Sequence, residues 1–235
     1  MIAAAYFTRH NLTAVERGRR LAEANGCFAC HGPEGMRGTA NPGDKDPTVP
    51  SFGSLMMYAD NPEEVRSWIA NGSRRPRPKR TGPPRRGPDR ATLHMPAFGG
   101  RLSKKEIDDL VEFVRAVASD PAPEDSLALA GRDRAGELGC VGCHGEGGRY
   151  ARRNPGSLKG YVPPWDGNDF PDLVKNESEF REWVEHGVSK RFEGNRLARF
   201  FLDRAPLKMP AYEGKLAPGD VDALWAYVMW LRKSE

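Results

Sequence analysis

Cys27-Phe28-Ala29-Cys30-His31 and Cys140-Val141-Gly142-Cys143-His144 together contain every cysteine of this 235-residue chain. Two thiols three residues apart on one helical turn can add to the two vinyl groups of a single porphyrin, and the adjacent histidine then reaches the iron. C-x-x-C-H is the attachment signature of c-type haem, and it is written twice, 113 residues apart. A four-cysteine zinc site would place its two pairs about 15–20 residues apart and gives no reason for a histidine after both. Here 109 residues separate Cys30 from Cys140. A thioredoxin-like pair needs a βαβ setting, and none is legible. The cofactors expected are two covalently attached haem c groups, with no thiol left for a disulfide.

His31 and His144 supply one axial position each, and the second ligand decides between electron transfer and catalysis. Three further histidines exist: His10, His94 and His186. His10 precedes the repeated region. His186 ends a helix and aligns with Asn71, where its charge suits the helix dipole. His94 aligns with the solvated Lys208. None recurs between the two halves.

Met95 and Met209 do recur. Each lies in Met-Pro-Ala-aromatic, 64 or 65 residues after its motif histidine. Methionine is often core filler, but two loop methionines at matching positions have no obvious packing role without a haem. Met36, Met56, Met57 and Met229 do not recur and read as packing or surface. A thioether is a soft, neutral, weak donor that favours ferrous iron, and a filled sixth position leaves no site for a substrate. The expected iron ligands are therefore His31 with Met95 and His144 with Met209, a set suited to moving one electron.

The elements that must position these groups also repeat. Gly18 and Gly131 each precede the first cysteine by nine residues, Val49-Pro50 matches Val162-Pro163, and Asn61 to Gly72 matches Asn176 to Gly187. Each copy reads as three helices joined by long loops. The first runs from about Thr13 to Ala24, opened by the capping box Thr13-x-x-Glu16; its counterpart begins near Ser126. The middle helix opens with Asn61 as N-cap, Pro62 and Glu64, and Gly72 stops it; Asn176, Glu179 and Gly187 take the same roles. The last helix is capped by Ser103-x-x-Glu106, and Ile107, Leu110, Val111, Val114 and Val117 form an apolar stripe. Val221, Leu224, Trp225, Val228 and Leu231 repeat it, after a start at Ala217-Pro218-Gly219-Asp220 that offers no capping side chain. No alternating strand is evident.

Charged residues make up 29% and the mean hydropathy is −0.66, and no run approaches the ~20 apolar residues of a membrane span. Residues 1–120 carry 19 basic and 14 acidic side chains, residues 121–235 carry 17 and 18. The excess lies between Arg74 and Arg90, where eight Arg or Lys residues face only Asp89, with Pro and Gly interleaved. Such a stretch cannot form helix or strand on its own. It reads either as a solvated loop or as a docking element for an acidic surface. Nucleic acid is excluded as a partner, since no recognition fold accompanies the charge.

On these motifs the chain resembles two fused class I cytochrome c modules, similar to two-haem periplasmic cytochromes that carry electrons to terminal oxidases. The resemblance covers about 11–120 and 126–235. It implies an all-α fold of two tandem domains wrapped round haem, and crossing of the first and last helices of each module at Gly18 and Gly131. The domain plan expected is an extension over 1–10, cytochrome c domains over 11–120 and 126–235, and a Pro-rich linker over 121–125. The loops 74–90 and Ser189 to Lys208 are longer and more charged than a minimal module needs.

The function expected is a dihaem, non-enzymatic electron carrier of a respiratory chain, exchanging single electrons with redox protein partners. Two alternatives stand beside it: a fixed subunit of a membrane respiratory or photosynthetic complex, and an enzyme, either thiosulfate-dehydrogenase-like or a dihaem peroxidase in which His94 substitutes for Met95 when that ligand is displaced on reduction. Haem c is attached outside the cytosol, which implies export to the periplasm or the outer face of the membrane. The start Met1-Ile2-Ala3-Ala4-Ala5-Tyr6-Phe7 is too short for a signal peptide. It reads as the stub of a membrane anchor or as a tail.

Overall fold

The computed structural model describes residues 12–73, 91–119, 122–150 and 152–233. The extension with His10 and the basic segment 74–90 lie outside the described residues. The chain divides into two units, one spanning 14–121 and the other built on 122–235. Both are mostly helical, in keeping with an all-α cytochrome c fold.

In the first unit α1 spans Ala14–Ala24, α2 Cys27–His31, α3 Pro62–Asn71 and α4 Lys104–Val117. Asn61 accepts from the Glu64 N–H, Pro62 occupies the first turn, and Gly72 closes α3 in the left-handed conformation at φ 67°. Ser103 and Glu106 complete a reciprocal capping box on α4. Ile107, Leu110, Val111, Val114 and Val117 are all buried. α1 packs along α4, and a Cβ at Gly18 would collide with the Asp109 carbonyl and the Phe113 Cβ. Only hydrogen in place of a side chain permits that approach. Arg17 clasps the buried Asp109 carboxylate through Nε at 2.8 Å and a terminal nitrogen at 2.7 Å beside the same crossing.

The second unit opens with α5 over Ser126–Glu137 and α6 over Val141–His144. α7 spans Phe170–Leu173 and α8 Glu177–His186. α9 covers Lys190–Glu193, α10 Arg196–Arg204 and α11 Asp220–Lys233. Asp125 caps α5 by accepting from the Ala128 N–H, and Asn176 and Gly187 bound α8. α5 packs along α11. A Cβ at Gly131 would meet the Ala223 carbonyl and the Tyr227 Cβ.

Three expectations change. Asp220 does act at the start of α11: its Oδ2 accepts from the Ala217 N–H at 2.7 Å and from Arg134 Nε at 2.8 Å. The stretch Ser189 to Lys208 is not one long loop but holds α9 and α10, because Asn195 accepts from the N–H groups of Leu197 and Ala198 and so starts a helix. Strand pairing also exists: β1 (Arg152–Arg153) runs antiparallel to β2 (Tyr161–Val162), with Arg153 opposite Tyr161. The first unit has an isolated bridge between Ala40 and Thr48 at the same offset. Segments of two residues are too short to show alternation.

Candidate functional site

In the first unit α2 is a single turn between glycines, Gly26 at φ 73° and Gly32 at φ 76°. A Cβ on Gly32 would strike the Arg37 carbonyl, so the chain can fold back tightly behind the histidine. His31 Nδ1 lies 2.7 Å from the Pro50 carbonyl. A proline carbonyl can only accept, so Nδ1 carries the proton and the Nε2 lone pair is left for a metal. The His31 ring sits 4.7 Å from Phe52, which meets Phe113 edge-on at 6.0 Å.

The second unit repeats the arrangement. His144 Nδ1 donates to the Pro163 carbonyl at 3.1 Å, and its ring lies 5.0 Å from Trp165. Burial lowers the affinity of both imidazoles for a second proton; His144, half-buried by area but closely ringed by protein atoms, is pushed down to about 4. The hydrogen bonds to the proline carbonyls oppose the shift without cancelling it. Neutral imidazole is the form that can ligate iron.

The four thiols are half-buried and unpaired with one another. Burial pushes the Cys27 and Cys140 thiols up from their ordinary value. Cys140 also shares a hydrogen bond with Tyr212, whose hydroxyl donates to the Leu138 carbonyl at 3.1 Å.

The chain on either side of each methionine is held in place by hydrogen bonds. Two residues before Met95, Leu93 N–H donates to Asn41 Oδ1 at 2.8 Å and the Leu93 carbonyl accepts from Asn41 Nδ2 at 3.1 Å. Asn154 clasps Leu207, two residues before Met209, in the same way, at 3.0 and 2.9 Å. Both asparagines are buried, 4% and 5% exposed, so each clasp satisfies groups that water cannot reach. After the methionines, Phe98 N–H donates to the Ile69 carbonyl at 3.0 Å and Tyr212 N–H to the Val184 carbonyl at 3.1 Å. Gly72 and Gly187 lie against the Met95 and Met209 carbonyls, where a Cβ would fit neither. The middle helix thus ends where the methionine loop begins.

Asn41 and Asn154 were not among the residues singled out by their chemistry. Their signal is Asn-Pro-Gly at 41–43 and again at 154–156, at the same 113-residue offset as the cysteines. The positional repeat carried the information that residue type alone did not.

Cys27, His31 and Met95 line one cleft, whose other walls include Phe52, Phe98 and Leu110. In the second unit Cys140 and Met209 pack with Tyr212 against a core containing Trp165, Phe180, Val184 and Tyr227. An apolar cleft with two soft or nitrogen donors and an attachment thiol fits a haem. His94 is exposed beside Met95, and His186 at the end of α8 lies 3.5 Å from Glu213. Met57 is 80% exposed and Met36 46%. Met229 packs against the second core.

Residues 15–118 match the cytochrome c family. Over 213 residues the chain is 28% identical to the cbb3-type cytochrome c oxidase subunit FixP of Azorhizobium caulinodans, a match covering 89% of this chain and 57% of that protein. The chain therefore spans little more than half the length of this curated relative. No solved structure matches it. With the cleft and its donors, these likenesses support a c-type cytochrome, an electron-transfer protein with covalently bound haem c. No described helix is long and apolar enough to cross a membrane.

Proposed function

We propose that the chain is a dihaem electron-transfer cytochrome built from two tandem modules. Cys27 and Cys30 would attach one haem and Cys140 and Cys143 the other. His31 with Met95, and His144 with Met209, would hold the irons. Iron held between a histidine and a methionine takes up and returns one electron without an open position for substrate. The polypeptide's part is to keep both ligands in place: Pro50 and Pro163 orient the imidazoles, and Asn41 and Asn154 tether the methionine loops.

The observation that carries this reading is the same methionine clasp in each unit, made by an asparagine ten residues after the motif histidine. Mass spectrometry of the purified protein together with a pyridine haemochrome assay tests it. Two haems per chain are expected, and one haem, or loss of attachment at only one of two Cys→Ala motif variants, contradicts it.

The similarity to an oxidase subunit favours a second reading, in which the chain works as a fixed electron-transfer subunit of a membrane respiratory complex. Export to the periplasmic side, with an anchor in the apolar N-terminus, fits both readings. Native purification separates them: a carrier washes off membranes with salt, whereas a subunit co-purifies with its complex. The basic segment 74–90 would dock an acidic redox partner. Neutralising Arg74, Arg75, Arg77, Lys79 and Arg80 should then slow electron delivery most at low ionic strength, and an unchanged rate there dismisses the docking role.

A further inference from the structure

Between Lys190 and Lys208 lie six basic and two acidic side chains, whereas the remainder of the second half, 121–189 and 209–235, carries 11 and 16. An otherwise acidic half thus gathers its positive charge in the stretch that a minimal module does not need. α10 lies at the centre of that stretch and has no buried residue. Ala198, Phe201 and Leu202 on one side of it are half-buried, while Leu197 and Phe200 stand 67% and 52% exposed.

Leu197, Phe200 and Arg204 follow at helical spacing along one side of α10, and the Arg204 guanidinium lies 5.2 Å over the Phe200 ring. Arg196 and Arg199 flank them, both exposed, and neither forms an ion pair among the described residues. The helix is fixed at both ends. Asn195 caps its start. At its close a Cβ on Gly156 would come within 2.7 Å of the Arg204 carbonyl, and Asn154 clasps Leu207 three residues further on. The two apolar side chains are therefore displayed on a firm support.

A single exposed leucine needs no explanation, but here two large apolar groups share a helix face with arginines. The half-buried side of α10 is turned to its own unit, so Leu197 and Phe200 point away from that unit's core. An acidic protein surface would satisfy the guanidinium groups and press the apolar side chains against carboxylates. An anionic bilayer satisfies both: its phosphates meet the arginines, and its boundary between headgroups and acyl chains takes leucine and phenylalanine. We propose that α10 lies on an anionic phospholipid surface, with Leu197 and Phe200 inserted at headgroup depth and Arg196, Arg199 and Arg204 against lipid phosphates. The arginine stems can cover apolar surface while their heads stay among the phosphates. A module held in this way meets membrane-bound redox partners by moving in the plane of the bilayer. The proposal goes beyond the electron-transfer reading and is independent of the number of haems.

Flotation of the haem-loaded protein with vesicles tests it, using phosphatidylglycerol and phosphatidylcholine in equal parts against phosphatidylcholine alone. Binding to the mixed vesicles should exceed binding to the neutral ones. Arg196→Gln with Arg199→Gln should weaken it by about fivefold for each charge removed, and Leu197→Ser with Phe200→Ser by about tenfold or more. Equal binding to both kinds of vesicle overturns the proposal, as does binding to neither, which would leave this face to an acidic protein. Binding to the anionic vesicles that survives both pairs of substitutions also overturns it and places the contact elsewhere, with the basic segment 74–90 as the first candidate. Should a variant misfold by circular dichroism, hydrogen exchange of the wild-type protein decides: slower exchange across α10 in the presence of the anionic vesicles supports the proposal, and unchanged exchange there contradicts it.

Discussion

In the first unit the motif histidine rests on Phe52, which meets Phe113; in the second, Trp165 and Tyr227 take those places, and Tyr227 adds a hydrogen bond to the Gly147 carbonyl at 2.9 Å. Phe98 of one methionine loop answers to Tyr212 of the other. The apolar fill has thus changed at position after position. The polar clasps have not: proline carbonyl on histidine, asparagine on the methionine loop, asparagine at the cap of the middle helix. The reason is energetic. Exchanging one large apolar side chain for another of similar volume costs less than about 1.5 kcal/mol, whereas orphaning a buried donor or acceptor costs about 1–3 kcal/mol at each group. Divergence proceeds where repacking can absorb it.

The sharpest way to break this comparison is at the helix crossings. Gly18→Val and Gly131→Val each force a side chain into a backbone carbonyl, and each should cost its own unit about 3 kcal/mol or more. Thermal unfolding read by circular dichroism checks this. A unit that tolerates valine does not rely on the close crossing.

Next come the clasps. Asn41→Ala and Asn154→Ala each leave a leucine N–H and carbonyl without their side-chain partner, for a loss of roughly 3 kcal/mol. Denaturant titration should show similar losses for the two variants, and each should weaken the near-red band of one haem only. Equal stability loss with an undisturbed band would make the asparagines structural alone.

The smallest effect separates the units. Burial opposes ionisation of Glu179, but Arg191 Nε at 2.6 Å, the Lys175 N–H at 2.7 Å and the Ser189 hydroxyl at 3.1 Å outweigh it and hold the carboxyl below its ordinary value. A group whose folded pKa is depressed stabilises the fold above its ordinary value, and that stability is lost as pH falls through the folded value. The second unit should therefore lose stability on acidification through this range. Glu179→Gln should remove that pH dependence at a cost of roughly 1 kcal/mol near neutrality, discounted for the exposed Arg191. An unaltered acid profile in the variant would show that the cluster contributes nothing.

Much of the frame was legible because it is local. Asn61 and Asn176 are followed by acidic residues and closed by glycines, and Ser103-x-x-Glu106 precedes a clean apolar stripe; caps and periodicity need no tertiary context. Asn195 carried the same kind of signal and was hidden by the charge around it. Asp220 reaches back into a loop, so no helical spacing announces it. The two-residue strands and the clasps of Asn41 and Asn154 are long-range pairings, visible in sequence only as matched offsets. The different surroundings of Trp68 and Trp183, tryptophans at the same register, were illegible altogether: the Trp183 indole N–H donates to the Leu173 carbonyl, while the buried Trp68 N–H has no partner among the described residues.

The central claim is that each unit holds its iron between one histidine and one clasped methionine. The oxidised absorption spectrum in the near red, quantified against total haem, tests it most directly. The account predicts a methionine-to-iron band with the intensity of two haems per chain and no high-spin signal. A band with the intensity of one haem, or a high-spin signal from either site, would contradict it.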